Sequence, residues 1–482
     1  MCGSALFVRI AAALIGDIRR GARRPGDRLP STRELARELA VNRNTVVAAY
    51  DDLVAQGWAT SCGAAGTYVA RELPDRRSSR ADRPLLGLAS RASYAFTSAT
   101  APLTPVFAAD ARYHLSAGVP DPRLFPRALF ARAYRRALAS RSATRALAYG
   151  EPHGTTPLRA AIAAMLRETR ALPIDADNVL ITSGSQMAIE LAARLLLRAG
   201  DIAAVEQLSY PPACRVLRNT GARVVGCALD REGLVVTSLP AGLRCLYTTP
   251  HHQYPTTVLL TQARRIALLE RARRDRFAII EDDYDHEFHF DGRPVAPLAS
   301  ADRDGSVIYV GSLSKVLAPG LRVGYLVAPA PVVEALAHLR AALDRQGDHV
   351  LELAIADLFD DGGLMRHVHT TRRIYASRRA ALAELLRRSL GSALEVALAP
   401  GGITMWAQVA DDIDLVRWQQ RALAAGVAVA IGSDFAIPTD DVRATARAEP
   451  RYVRLAFARH SEAELADAVR LLARALPRRA SA

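Results

Sequence analysis

Apolar residues between positions 5 and 20 recur at the spacing of an amphipathic helix, and a Gly/Pro-containing stretch from Gly21 to Pro30 closes it. Ser31-Thr32-Arg33-Glu34 then has the spacing of a capping box: the serine hydroxyl accepts from first-turn amides and the glutamate reaches back, which predicts a short helix ending near Leu39. Asn42 is placed to cap a third helix, in which Val46, Ala49, Tyr50 and Leu53 follow the i, i+3, i+4, i+7 rule and Gly57 is the stop. Two β-prone runs, Trp58 to Ser61 and Thr67 to Val69, flank a turn from Gly63 to Gly66 and read as a small hairpin.

Three helices and a hairpin, in that order, are those of a winged helix-turn-helix, expected to occupy residues 1–72. Residues 73–112 are rich in Arg, Ser, Ala and Pro without periodicity and read as a linker. Beyond it, strand-like runs alternate with helical stretches: 179–182, 202–205, 224–228, 245–248, 278–280 and 307–310. That alternation predicts an α/β domain with a mainly parallel sheet, 113–482, whose large lobe ends near 375. Runs at 403–409 and 452–456 among helices predict a smaller α/β lobe over about 376–482.

Composition narrows the chemistry. The 482 residues are half apolar, enough for more than one core, and five cysteines without a CxxC pair or metal-like spacing indicate neither a disulfide framework nor a zinc site. The apolar start, interrupted by Arg9 and too short to span a bilayer, predicts no membrane segment and a cytoplasmic location. A net charge of +14 favours polyanionic partners without naming one. Among 63 basic residues there is a single lysine, Lys315. Arginine serves wherever a permanent cation is needed but stays protonated, so an arginine-biased chain keeps lysine where an amine nucleophile is required.

Two sets of candidate site residues follow. In a winged helix-turn-helix the start of the recognition helix meets base edges, which points to Asn42, Arg43, Asn44 and Thr45, with Arg28 and Arg33 suited to phosphates of double-stranded DNA. Around Lys315 the sequence offers what pyridoxal phosphate needs. Glu281-Asp282-Asp283-Tyr284 ends an apolar strand, Ser312 and Ser314 stand beside the lysine, and Arg322 lies seven residues beyond it. Ser185 and Gln186 open a helix after a strand, an anion-binding arrangement. Asp283, Asp285, His286 and His289 are read as part of the strand-end segment, and no metal centre is expected.

The run PGDRLPSTRELARELAVNRNTVVAAYDDLVAQGW closely resembles the GntR family of bacterial regulators, over nearly all of residues 5–70. It departs at Ala48 and in the wing tip Cys62-Gly63-Ala64-Ala65-Gly66. From Tyr113 onward, segments such as YGEPHGTTPLRAAI, TSGSQMAIELAARLLL, IIEDDYDHEFHFDGRPVAPL and YVGSLSKVLAPGLRVGYL resemble fold-type I aminotransferases. The combination looks like the MocR/GabR subfamily of GntR regulators. By that resemblance, Lys315 forms the Schiff base with pyridoxal 5'-phosphate, Asp282 pairs the pyridine nitrogen, Tyr284 touches the phenolic oxygen and Tyr210 stacks on the ring. Ser185, Gln186, Ser312, Ser314 and Arg322 hold the phosphate, Arg454 holds an effector's carboxylate, and Tyr149 reaches the neighbouring subunit's cofactor phosphate. The run Gln253-Tyr254-Pro255-Thr256-Thr257 departs from the Asn-Pro-Thr-Gly of true aminotransferases, losing the asparagine and the glycine.

Two functions remain open on the sequence. One is a regulator that senses an amino acid or the vitamin B6 cofactor and changes how a homodimer, by resemblance domain-swapped, grips its operator DNA. The other is a catalytically active aminotransferase with an accessory DNA-binding domain. The intact amino-terminal domain and the asparagine-less loop favour the regulator.

Overall fold

Helices Leu6–Arg19, Thr32–Glu38 and Arg43–Ala55 and the antiparallel pair Ala59–Ser61 and Thr67–Val69 form the first unit of the computed structural model. The structure describes residues 6–74, 108, 110–437 and 451–477, and the chain divides into two units, Met1–Leu103 and Thr104–Ala482. Most of the expected linker, 73–112, lies outside the described residues.

The helical periodicity read from the sequence is what packs this unit. Ile10, Leu14 and Ile18 of the first helix meet Leu35 of the second and Val46, Ala49, Tyr50 and Leu53 of the third, with Trp58 closing the base. The Tyr50 hydroxyl donates to the Pro30 carbonyl at 2.7 Å, tying the third helix to the segment before the second. Both expected caps are present. Ser31 Oγ accepts from the Glu34 amide at 3.2 Å while Glu34 accepts from the Ser31 amide at 2.8 Å, and Asn42 Oδ1 accepts from the Asn44 amide at 2.9 Å.

In the second unit, seven strands among the described residues form one sheet, in the order Val179–Thr182, Gly324–Val327, Val307–Ser312, Ala278–Asp283, Leu243–Thr248, Ile202–Glu206, Arg223–Cys227. All neighbours are parallel except Gly324–Val327, which runs antiparallel to both strands beside it. This strand was not among the sequence expectations: it follows directly on the turn around Arg322 and inserts between the first strand and the Val307–Ser312 strand. Burial on both faces explains the unbroken apolar runs. One face packs on helices Ser185–Leu196, Pro211–Asn219 and Ala330–Leu343, the other on Thr156–Arg170 and His349–Asp360.

The smaller lobe has its own core around a four-stranded antiparallel sheet in the order Leu394–Val396, Thr404–Val409, Tyr452–Ala456, Ala430–Ile431. Helix Gly363–Leu390 runs through both lobes: Leu364 and Val368 pack in the larger core, Tyr375, Leu382 and Leu386 in the smaller. The segment Tyr113–His114 pairs in parallel with Val427–Ala428, so the start of the unit also sits in the smaller lobe's core. No helix among the described residues is long and apolar enough to cross a membrane.

Candidate functional site

The carboxyl ends of the central strands converge on Lys315. Strand Ala278–Asp283 delivers Asp282 and, just past its end, Tyr284, while strand Val307–Ser312 leads into the turn that carries Ser314 and Lys315. A Tyr247 hydroxyl on the neighbouring strand donates to Asp282 Oδ2 at 2.8 Å, and Asp282 Oδ1 is buried with no hydrogen-bond partner among the described residues. Burial raises the Asp282 carboxyl to about 7, opposed by the Tyr247 hydrogen bond and by the charge of Lys315.

Lys315 donates from Nζ to the Gly118 carbonyl, and burial together with the Arg454 cation pushes its amine down to about 8. An amine so placed is neutral, the form that attacks a carbonyl, in roughly a tenth of molecules at pH 7, far more than an ordinary lysine. Arg454 donates to the Ser116 carbonyl at 2.9 Å and lies over the Tyr254 ring, its guanidinium carbon 4.5 Å from the centroid. Segment 115–120 therefore lies between the lysine and the arginine, a contribution that the sequence reading did not assign. Tyr210 meets Tyr254 edge to face at 5.1 Å and feels the charges of Asp282, Arg322 and Arg454.

An anion cup is built beside these groups. Helix Ser185–Leu196 starts here, so the first-turn amides of Ser185 and Gln186 carry no intrahelical acceptor. Arg322 donates to the Ser183 carbonyl, and its guanidinium lies against Gly184. Close approach is possible because Gly184 has φ +80° and Gly324 has no side chain: a Cβ on Gly324 would fall 2.7 Å from the Gly184 carbonyl carbon. Ser312 Oγ accepts from the Ser314 amide at 3.1 Å and so shapes the turn.

These groups fit pyridoxal phosphate: an amine nucleophile, a buried acceptor oxygen with no partner, an aromatic wall and a cationic cup at a helix start. Tyr284 donates its hydroxyl to the His252 carbonyl at 3.0 Å, and Tyr254 packs against Tyr210, Tyr284 and Phe435. Tyr149 lies apart from this cluster, 85% exposed, against Arg345 and in a cavity lined by Gly150, Thr155 and His349.

Gln253 was expected only as a departure, and the structure gives it a role. Its amide donates to Glu206 at 3.0 Å and to the carbonyls of Leu208 and Tyr254 at 2.7 Å. Glu206, raised to about 7 by burial, also accepts from Thr248 and Thr249, so the loop after strand Leu243–Thr248 is pinned to its neighbour strand. Thr257, where the glycine is lost, keeps a left-handed backbone with φ 64°.

In the first unit Arg28, Arg33, Asn42, Arg43 and Asn44 are exposed, and Thr45 is half-buried. The Asn42 side chain is committed to capping, and Arg43 Nε donates to Thr32 Oγ1 at 3.3 Å across the two helices of the motif. Arg28 lies on the wing, against Gly66 and bridged to Tyr68.

A family model described as Bacterial regulatory proteins, gntR family, matches residues 6–69, and one described as Aminotransferase class I and II matches residues 114–472. The HTH-type transcriptional regulator TauR of Rhodobacter capsulatus is 35% identical over 95% of this chain and 93% of its own length. The probable rhizopine catabolism regulatory protein MocR of Rhizobium meliloti is 32% identical over 84% of this chain and 82% of its own. Among solved structures, Pyrococcus horikoshii kynurenine aminotransferase in complex with PMP is 28% identical, with a TM-score of 0.68 over 77% of this chain and 91% of that one. The α-aminoadipate aminotransferase LysN of Thermus thermophilus, complexed with N-(5'-phosphopyridoxyl)-L-leucine, gives 27% identity and a TM-score of 0.68 over 76% and 92%.

Proposed function

The chain belongs to the gntR-type regulators built on an aminotransferase class I and II domain, and from that premise we propose that it reads an amino acid at Lys315 and converts the reading into a change of grip on operator DNA. It is a DNA-binding, pyridoxal phosphate-dependent transcription regulator. When bound, the cofactor supplies an aldehyde that condenses with amines and a pyridine ring that takes up negative charge. The chain's residues do the rest. Asp282 would accept a hydrogen bond from the ring nitrogen and keep that nitrogen protonated, Tyr210 would wall the ring, and the Ser185–Gln186 helix start with Ser314 and Arg322 would hold the phosphate. Arg454 receives the carboxylate of the arriving amino acid. In the first unit Arg43, Asn44 and Thr45 reach base edges, while Arg28 and Arg33 hold phosphates of the DNA backbone.

One observation supports this reading: the buried Lys315–Asp282 group and an exposed, capped recognition-helix start stand in the same chain. Tyr149, exposed on one protomer, suits a homodimer in which it completes the partner's phosphate site, with the DNA-binding domains exchanged between protomers and the assembly resident in the cytoplasm. The test is the visible spectrum of the cofactor-loaded protein during titration with a panel of amino acids, combined with operator binding. A compound that shifts the spectrum to a stable new form and changes DNA affinity is the effector. A spectrum that runs on to the pyridoxamine form, restored by a keto acid, marks an aminotransferase instead.

A further inference from the structure

Four of the chain's eleven histidines meet in one buried cluster next to the Lys315 site. His251 and His252 come from the loop after strand Leu243–Thr248, while His286 and His289 come from the single turn after the adjacent parallel strand Ala278–Asp283. The His251 ring lies 4.2 Å from those of His252 and His286 and 5.6 Å from that of His289. A core histidine ordinarily has its polar nitrogens satisfied. Here both nitrogens of His251, Nε2 of His252 and Nδ1 of His289 are buried with no hydrogen-bond partner among the described residues.

The geometry points to a divalent transition-metal site made by His251, His252 and His289, with zinc as the ion that it suits. One ring nitrogen from each of the three lies within 4.8 Å of the others. Zn–N bonds of about 2.0–2.1 Å set an edge of about 3.3 Å in a tetrahedron, a separation that falls inside that limit. The donor set is imidazole, which selects zinc and its neighbours over calcium or magnesium.

Two further features complete the arrangement. His252 Nδ1 is 2.7 Å from Asp285 Oδ1, the carboxylate behind an imidazole that fixes the ring with its Nε2 lone pair toward the ion. Beside that Nε2 stands Gly401, where a Cβ would fall only 2.4 Å away, so the glycine leaves the space open. Three protein ligands leave a fourth position for water or a small ligand. The backbone of His252 accepts the Tyr284 hydroxyl, so a ligand that pulls on His252 also acts on the cofactor's surroundings.

The expectation of no metal centre was drawn from the cysteine spacing and from the 283–289 segment. Two of the three ligands come from another loop, thirty or more residues away in sequence. Only the pairing of the two strands brings them together.

The test uses the cofactor-loaded full chain without a histidine tag, stripped with a chelator and titrated with zinc by calorimetry, with cobalt as a spectroscopic probe. Expected are one tight zinc per chain, visible d–d bands with cobalt, and a zinc-dependent rise in melting temperature. His251→Ser and His289→Gln should each weaken zinc at least tenfold, and Asp285→Asn tenfold to a hundredfold. The cofactor absorption of the two histidine variants should persist, which reports that they are folded. No zinc uptake by the parent, or unchanged affinity in the folded His251→Ser and His289→Gln variants, overturns the site. Neither outcome touches the proposed regulatory function.

Discussion

Tyr247 and Asp282 share a hydrogen bond of 2.8 Å beside Lys315, and it leaves the other oxygen of Asp282 buried with no hydrogen-bond partner among the described residues. The phenol, with the charge of Lys315, opposes the rise that burial imposes on the Asp282 carboxyl, which stands at about 7. Tyr247→Phe is expected to loosen pyridoxal phosphate roughly ten- to a hundredfold, because a hydrogen bond to a charged group contributes about 1.5–3 kcal/mol. Fluorescence titration of the apo-protein with cofactor measures this, and an unchanged affinity would remove Tyr247 from the site.

Lys315 makes cofactor loading depend on pH. Its amine is pushed down to about 8 by burial and by Arg454, against the pull of Asp285 and Asp282. The neutral amine is the reactive form, so the rate of loading should rise about tenfold per pH unit below 8 and level off above it. Between about 8 and the ordinary value of 10.5 the unfolded chain binds more protons than the folded one. Through that window this group makes the apo-protein more stable as pH rises. Stopped-flow absorbance at a series of pH values checks the rate, and Lys315→Arg should keep the fold but hold no cofactor that borohydride fixes to the chain.

In the first unit, capping and reading are divided between neighbours. Asn42→Ala removes the acceptor for the Asn44 amide and should destabilise the domain by about 1 kcal/mol, measured by thermal denaturation. Arg43→Ala should leave stability close to that of the parent, while weakening sequence-specific DNA binding by roughly 1–3 kcal/mol. Fluorescence anisotropy with operator DNA reads the second effect, and the cofactor spectrum of both variants should match the parent.

Thr257 holds a left-handed backbone, φ 64°, in a loop pinned by Gln253 and Glu206. A β-branched residue there costs on the order of 1–2 kcal/mol, partly offset in a glycine variant by the larger entropy of its unfolded chain. Thr257→Gly is therefore expected to stabilise the second unit by about 0.5–1 kcal/mol in chemical denaturation. A loss of stability would show that the Thr257 hydroxyl, which donates to the Thr256 carbonyl at 2.6 Å, outweighs the strain.

What the sequence determined by itself is whatever depends on near neighbours in the chain. Helix periodicity, the Ser31–Glu34 box, the Asn42 cap and the hairpin runs are local physics, so the first unit was legible almost to the residue. The lone lysine pointed to the proposed cofactor site for a chemical reason independent of fold, and apolar runs located six of the seven strands of the large sheet. Strand order, by contrast, is a matter of long-range pairing. It was the sheet that set Tyr247 under Asp282 and slid Gly324–Val327 in antiparallel, while backbone pairing with Ala428 and Ala456 of the smaller lobe placed segment 115–120 between Lys315 and Arg454. The same pairing of Leu243–Thr248 with Ala278–Asp283 gathered His251, His252 and His289 around one point. No spacing along the chain encodes that meeting, because hydrogen bonds between strands, rather than sequence distance, fix which loop ends lie side by side.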